Sequence, residues 1–177
     1  NAFEIFFLSD TNDAALAREE EAAIARLRDS RPDAAIFYRR RLANHGRKAG
    51  NIADFVRRWG GRYDYMTVLD ADSLMSAEAM MELVRRMDVR PGTALIQTMP
   101  MIINAHTMIA RSQQFAMRAY GQMFGAGLAW WSGGAGNFWG HNAIIRVEAF
   151  AAHAGLPVLP GNGPLGGHIL SHDFVEA

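Results

Sequence analysis

Cysteine is absent from the 177 residues of the chain, which excludes a disulfide framework, a cysteine zinc site, an iron–sulfur centre and a cysteine nucleophile. A surplus of either charge is absent as well, since 18 Lys and Arg stand against 18 Asp and Glu. Without a basic surplus there is no overall field to hold a polyanion, so we expect no nucleic-acid partner. Internal repeats are also missing, which argues against a solenoid. Hydrophobic residues make up 50% of the chain, enough for the core of one domain.

A segment suited to cross a membrane is missing too. The longest stretch without Asp, Glu, Lys or Arg covers residues 119–145, but glycines and amide side chains interrupt it throughout. Trp130, Trp131 and Trp139 lie among these glycines. Their amphipathic rings favour a cleft wall or a surface against a membrane interface. A buried loop with packed aromatic rings fits the composition equally well.

The two ends of the sequence lack the usual terminal features. The chain opens at Asn1 without a start methionine or a signal peptide, and it stops at Ala177 without a terminal cap. We therefore expect a piece of a longer polypeptide, truncated at both ends and drawn from a single domain.

Apolar segments with strand character alternate with helical patterns along the chain. The predicted strands are residues 3–8, 34–38, 65–69, 94–98 and 143–147. The predicted helices are residues 13–28 with Asn12 or Asp13 as the cap, 52–59, a helix capped by Ser76, 106–124, a short helix after 147, and a last one from Ser171. This alternation predicts an α/β fold in which helices flank a largely parallel sheet.

Polar side chains follow three of the predicted strands. Asp10 comes after the first, Asp70 and Asp72 after the third, and Gln97 closes the fourth. Ligands of open α/β sheets gather at the carboxyl ends of the strands, where carboxylate oxygens suit Mg²⁺ or Mn²⁺. The alternative is that Asp70 and Asp72 only shape the turn before the next helix.

A basic, glycine-containing segment opens the second helix. Lys48 and Asn51 bracket an Ala-Gly pair there. Free N–H groups at the start of a helix favour an anion, such as a phosphate or a nucleotide sugar. The alternative is a solvated basic turn that only caps the helix.

Taken in order, six motifs resemble the catalytic domain of processive, inverting, membrane-bound glycosyltransferases, the group that includes cellulose synthase. They are SDTND (9–13), RKAGN (47–51), VLDAD (68–72), IQTMP (96–100), FWGHNAIIR (138–146) and SHD (171–173). The resemblance covers nearly the whole chain. The sequences of residues 7–13, 138–146 and 165–174 most resemble one particular bacterial member of the family.

The resemblance implies a Rossmann-like GT-A fold, UDP-glucose as the donor, Mg²⁺ or Mn²⁺ as the cofactor, and a growing β-glucan as the acceptor. It also implies a catalytic domain on the cytoplasmic face of the bacterial inner membrane, anchored through segments outside this chain, and a product destined for the periplasm. The implied donor-binding residues are Asp10, Lys48, Asn51, Asp70 and Gln97, with Asp70 and Asp72 holding the metal. The implied acceptor-binding residues are Trp139, Gly140, His141 and Asn142, and Asp173 is the implied catalytic base.

The sequence departs from the family in two places. His172 precedes Asp173 where cellulose synthases have a Glu, which changes the charge beside the base. The Gln-x-x-Arg-Trp element of the family does not occur in the chain, so the piece alone is expected to be inactive.

Two other functions compete with this interpretation. A haloacid-dehalogenase-like phosphotransferase also places Asp-x-Asp after a buried strand, but Leu74 stands where that class has Thr or Val. That class also has no role for the segment at Lys48. The second alternative is a domain that binds a nucleotide sugar without turning it over.

Overall fold

The computed structural model describes residues 3–155, 158–161 and 167. The chain divides into two compact units, residues 1–59 and 60–177, and each is described by itself. The first unit contains β1 (Glu4–Ser9), α1 (Ala14–Ser30), β2 (Ala35–Arg40) and α2 (Arg47–Trp59). The second contains β3 (Tyr65–Val68), α3 (Ala77–Asp88), β4 (Leu95–Gln97), α4 (Met108–Ser132), β5 (Ala143–Arg146) and α5 (Val147–His153). The predicted α/β class is thereby confirmed.

The first unit packs two helices against a parallel pair of strands. β1 and β2 run parallel. The Phe6 ring lies 4.8 Å from the rings of both Phe37 and Phe55, which joins the strands to α2. The Asp13 carboxylate accepts hydrogen bonds from two backbone N–H groups of α1, at 2.7 and 3.2 Å, so Asp13 is the cap of that helix. The predicted apolar face of α2 is buried at Ile52, Phe55 and Val56.

The second unit is built on an antiparallel sheet in the order β3-β5-β4. Its core joins Leu83 and Met87 of α3 to Ile144 of β5, each at most 5% exposed. The Ser76 hydroxyl accepts a hydrogen bond from the Ala79 N–H at 3.2 Å, as predicted for the cap of α3.

The prediction of a largely parallel sheet is wrong. Only the β1–β2 pair is parallel, because β5 lies between β3 and β4 and opposes both. The Asn142 N–H donates to the Val68 carbonyl, and the Thr98 N–H donates to the Asn142 carbonyl. These bonds hold the start of β5 at the edge where β3 and β4 end, so β5 has to run in the opposite direction. Apolar spacing marks a strand but carries no information about its direction.

Helix α4 extends further than the sequence pattern predicts. The expected end near Phe124 is wrong, since the helix continues through Gly125 and Gly127 to Ser132 and ends at Gly133 with φ +58°. Single glycines cost a helix only about 1 kcal/mol each, so they do not stop it. The alternative of a buried aromatic loop also fails in this segment, because two tryptophans of α4 are more than 80% exposed. Within the described ranges, no helix has both the length and the apolar character needed to cross a bilayer.

Gly50 is required by the packing of the chain itself. A Cβ at this position would lie 2.0 Å from the His45 carbonyl oxygen. We expect Gly50→Ala to lower the free energy of unfolding by about 1–3 kcal/mol or more, since backbone has to shift. Gly127→Ala in α4 is the matched control, because no atom lies within 4 Å of a Cβ there. Urea denaturation should show a stability that is unchanged or raised for Gly127→Ala and lowered for Gly50→Ala, and equal midpoints would contradict the steric argument.

Candidate functional site

The ends of β3 and β4 meet at one edge of the antiparallel sheet. Because both strands oppose β5, they are parallel to each other and share the edge at which β5 begins. The turn carrying Asp70 and Asp72 follows β3, and the Ser73 N–H donates to the Asp70 carbonyl at 3.0 Å. Asp70 is half-buried and Asp72 is exposed. The predicted meeting of these strand ends is therefore observed, although the sheet is antiparallel.

Gln97 fastens the loop that precedes β5. Its Oε1 accepts a hydrogen bond from the Trp139 N–H at 3.0 Å, and its Nε2 donates to the His141 carbonyl at 3.0 Å. One amide thus satisfies both a donor and an acceptor of residues 139–142. Gln97 positions the loop, and its expected contact with the donor stays a prediction.

Two residues of the loop 139–142 have left-handed backbone conformations, and one of them, Asn142, is not a glycine. Gly140 has φ +81° and Asn142 has φ +54°. The Thr98 hydroxyl donates to the Asn142 carbonyl at 2.6 Å, and the Asn142 N–H donates to the Val68 carbonyl at 2.8 Å. The buried Oδ1 of Asn142 and Nδ1 of His141 have no hydrogen-bond partner in the described part of the chain. Strain and orphaned polar atoms together are typical of a binding site.

A groove of about 750 Å³ runs from this loop between β4 and α4. Trp139 and Gln97 lie in its wall, and Met99, Met117 and Leu128 make other parts of it apolar. A mostly apolar cleft with a few fixed polar groups and an aromatic ring is a common form of small-molecule site. Trp139 is half-buried there.

We expect Gln97→Ala to loosen this loop, because the Trp139 N–H and the His141 carbonyl lose their partner together. The expected loss is about 1–3 kcal/mol of unfolding free energy for the groups left unpaired. Gln97→Glu keeps an acceptor for the Trp139 N–H, but its carboxylate repels the His141 carbonyl. We therefore expect this variant to have a lowered free energy of unfolding as well. Urea denaturation measures the loss, with Gln113→Ala on an exposed position of α4 as the control. Equal stability of Gln97→Ala and the control would show that the amide does not hold the loop.

In the first unit, Asp10 forms a bidentate ion pair with Arg41. The Arg41 Nε and Nη2 lie 2.7 and 2.6 Å from the two carboxylate oxygens. Arg41 also donates to the backbone carbonyls of His45 and Arg47, and so ties the loop before α2 to the end of β1. Sequence reasoning missed Arg41. The available signal was a run of three arginines at the end of β2, the strand that lies beside β1.

Lys48 and Asn51 both lie in the first turns of α2. The Asn51 Nδ2 donates to the Leu8 carbonyl at 3.2 Å, and the Asn51 carbonyl accepts from Arg39 at 3.0 Å. The Asn51 Oδ1 is buried and has no hydrogen-bond partner within the described ranges. Lys48 is half-buried. Asn51 therefore anchors the start of α2 on β1, and the basic segment forms the first turn of that helix.

A buried charge cluster supports this end of the first unit. Burial by itself raises the pKa of the Asp54 carboxyl, but the hydrogen bond and charge of Arg58, with the charge of Arg39, outweigh burial and hold the pKa below its usual range. Burial lowers the pKa of the Arg39 guanidinium, and the Asp54 charge opposes that effect. Asp54 therefore stays ionised near neutral pH and balances the basic residues around it.

The Asp-x-Asp turn is the predicted position of a divalent cation. In the part of the chain that the structure describes, no three side chains of His, Asp or Glu converge on one point. Mg²⁺ needs only one or two protein carboxylates when substrate phosphates supply further oxygens. Asp70 and Asp72 provide that number. The predicted catalytic base, Asp173, lies outside the described residues, and its role stays a prediction.

Comparisons of the chain with a family profile and with curated proteins agree with each other. The sequence profile of glycosyl transferase family 2 matches residues 1–153. Glucans biosynthesis glucosyltransferase H of Shewanella sp. (strain ANA-3) is 57% identical, over 100% of this chain and 24% of that protein. The protein of the same name from Vibrio cholerae serotype O1 is 58% identical, over 100% of this chain and 25% of that protein. The chain thus spans about a quarter of the length of these curated relatives, and the likeness to one particular bacterial protein is confirmed.

Proposed function

The chain belongs to glycosyl transferase family 2, and from that premise we propose that it forms part of a glucosyltransferase with a GT-A fold. The enzyme transfers glucose from UDP-glucose to a growing β-glucan and inverts the anomeric centre. The observation that carries this proposal is the 57% identity, over the whole chain, to proteins named glucans biosynthesis glucosyltransferase H. The match to a glycosyltransferase family argues against the alternative of a haloacid-dehalogenase-like phosphotransferase. A domain that binds without turnover is an outcome of the test below.

On the donor side, the first unit offers a site for the nucleotide. We propose that Asp10 contacts the uracil ring and that Lys48 places a positive charge near the diphosphate. The bidentate pair with Arg41 holds the Asp10 carboxylate in one orientation, and rigid side chains bind without a further entropic cost. The unpartnered Oδ1 of Asn51 is an additional acceptor at the start of α2.

The second unit offers the groups that surround the reacting sugar. We propose that Asp70 and Asp72 hold Mg²⁺ or Mn²⁺, which neutralises charge on the departing UDP when bound. The loop of residues 139–142 lines the acceptor site, with the Trp139 ring against a sugar face. The strained backbone at Asn142 is held by Gln97 and Thr98, so the loop is arranged before substrate arrives.

Inversion requires one base and no covalent intermediate. Asp173 accepts the proton of the acceptor hydroxyl while that oxygen attacks the anomeric carbon from the face opposite UDP. The new carbon–oxygen bond forms as the bond to the UDP oxygen breaks. We place this reaction on the cytoplasmic face of the bacterial inner membrane, where UDP-glucose is available.

The decisive experiment measures transfer of labelled glucose from UDP-glucose by membranes that contain an enzyme of the relatives' full length carrying this chain. We expect polymer that depends on Mg²⁺ or Mn²⁺ and that a β-glucanase digests. Calorimetric titration of UDP into the 177-residue chain provides the second readout. UDP binding without polymer would support a binding domain, and incorporation from a different nucleotide sugar would overturn the donor assignment.

A further inference from the structure

Helix α4 presents an apolar surface that the proposed reaction does not use. Large hydrophobic side chains project from it into solvent, with Met108 81%, Met123 71%, Trp130 84% and Trp131 83% exposed. Further exposed apolar side chains of the same surface are Ile109, Phe115, Tyr120 and Phe124. Monomeric soluble proteins rarely expose so many large apolar side chains on one element, and such patches mark contacts with proteins or membranes.

The exposed and the inward-facing residues of α4 lie on opposite sides of the helix. The less exposed positions recur every three or four residues and are Ala110, Gln114, Met117, Gly121, Gly125, Leu128 and Ser132. At 100° per residue these positions form one stripe, and Met123 and Trp130 lie on the opposite side. A groove of about 430 Å³ between Tyr120, Phe124 and Trp131 adds a depression to this apolar side.

The charged residues in α4 and in the segments next to it in the sequence are all basic. Residues 89–147 contain Arg90, Arg111, Arg118 and Arg146 but no Asp or Glu, although the whole chain has a net charge of +0. On the helical wheel Arg111 and Arg118 lie together along one border of the apolar side. Arginines at the border of an apolar face extend to phosphate groups while the face enters the hydrocarbon boundary.

We propose that the exposed face of α4 lies on the surface of a bilayer that contains anionic lipids. Three observations favour a lipid partner over a second copy of the chain: the uniform positive sign, the bordering arginines and the Trp and Tyr side chains typical of the membrane interface. The helix lies in the plane of the membrane, since it lacks the apolar character needed to cross it. This inference stands on the α4 surface alone and does not depend on the proposed transfer reaction.

The test is flotation of the 177-residue chain with vesicles of phosphatidylcholine alone and of phosphatidylcholine with 30% phosphatidylglycerol. We expect binding to the anionic vesicles at least about tenfold tighter than to the neutral ones, and weaker binding as salt is raised. Replacing the two tryptophans (Trp130→Ser with Trp131→Ser) should weaken binding to both vesicles by roughly tenfold or more. Arg111→Gln with Arg118→Gln should remove the preference for anionic lipid.

The matched control replaces two exposed leucines outside α4, Leu42→Ser with Leu74→Ser, at 86% and 79% exposure. This variant should bind vesicles as the unaltered chain does. All of these side chains are exposed, so the fold should persist, and far-ultraviolet circular dichroism checks it. Sedimentation without lipid tests the alternative partner, which is a second copy of the chain. A dimer that the tryptophan substitutions dissociate, an absence of vesicle binding, or equal weakening by the leucine control would each overturn the proposal.

Discussion

Replacement of Asp72 by Asn should reduce glucose transfer by roughly 10²-fold or more while the fold stays intact. The side chain is exposed on the turn after β3, so its neutralisation removes no buried contact. It does remove one of the two carboxylates that we propose as ligands of a divalent cation, and an amide oxygen is a much weaker ligand for Mg²⁺ than a carboxylate. The measurement is glucan synthesis from UDP-glucose in an enzyme of the relatives' full length that carries this chain.

Asp64 offers a control with the same change of charge. It is exposed directly before β3, at the opposite end of the strand, and its backbone carbonyl accepts a hydrogen bond from the Val147 N–H at 3.0 Å. Asp64→Asn should therefore retain nearly full activity. A higher concentration of Mn²⁺ should partly restore Asp72→Asn if the lost function is metal binding. Near-normal turnover of Asp72→Asn at low metal concentration would show that Asp72 is only a turn residue.

Local patterns predicted most of the fold because each rests on forces within a few residues. Asp13 and Ser76 cap helices where their side chains reach nearby N–H groups, and the apolar spacing in α2 gave the buried face. Strand direction did not follow from such patterns. It depends on hydrogen bonds between distant residues, here from Thr98 to Asn142 and from Asn142 to Val68. The length of α4 was missed for a different reason, since a glycine in a sequence does not reveal whether packing compensates its cost.

The candidate site likewise has features that the sequence predicted and contacts that it could not predict. The spacing of Asp70 and Asp72 after an apolar strand was enough to place them at a strand end with Gln97 nearby. The sequence could not show that the Gln97 amide holds residues 139–142, since its partners lie more than forty positions away. Nor could it pair Asp10 with Arg41, because any of three adjacent arginines had the required charge. Contacts between side chains depend on register, and register emerges only when the chain folds.

The second large effect is expected at Asp173. A general base that takes the proton of the acceptor hydroxyl contributes typically about 10²–10⁴-fold in rate. A carboxylate that only caps a helix contributes roughly 0.5–2 kcal/mol of stability, and Asn caps about as well as Asp. Asp173→Asn therefore separates the two roles. We expect an almost unchanged melting temperature, preserved UDP-glucose binding and a fall in glucan synthesis of at least about 10²-fold.

The pH dependence gives an independent readout of the same residue. A catalytic carboxylate has to be ionised, so transfer by the unaltered enzyme should fall as pH drops through the pKa of that group. The residual transfer of Asp173→Asn should lack this acidic limb, because Asn does not titrate. Asp173→Ala should lose the same activity, and a fall in its melting temperature below that of Asp173→Asn would measure any capping contribution. If Asp173→Asn keeps full activity while Asp173→Ala lowers only the melting temperature, Asp173 is a capping residue and the base has to be sought elsewhere in the longer enzyme.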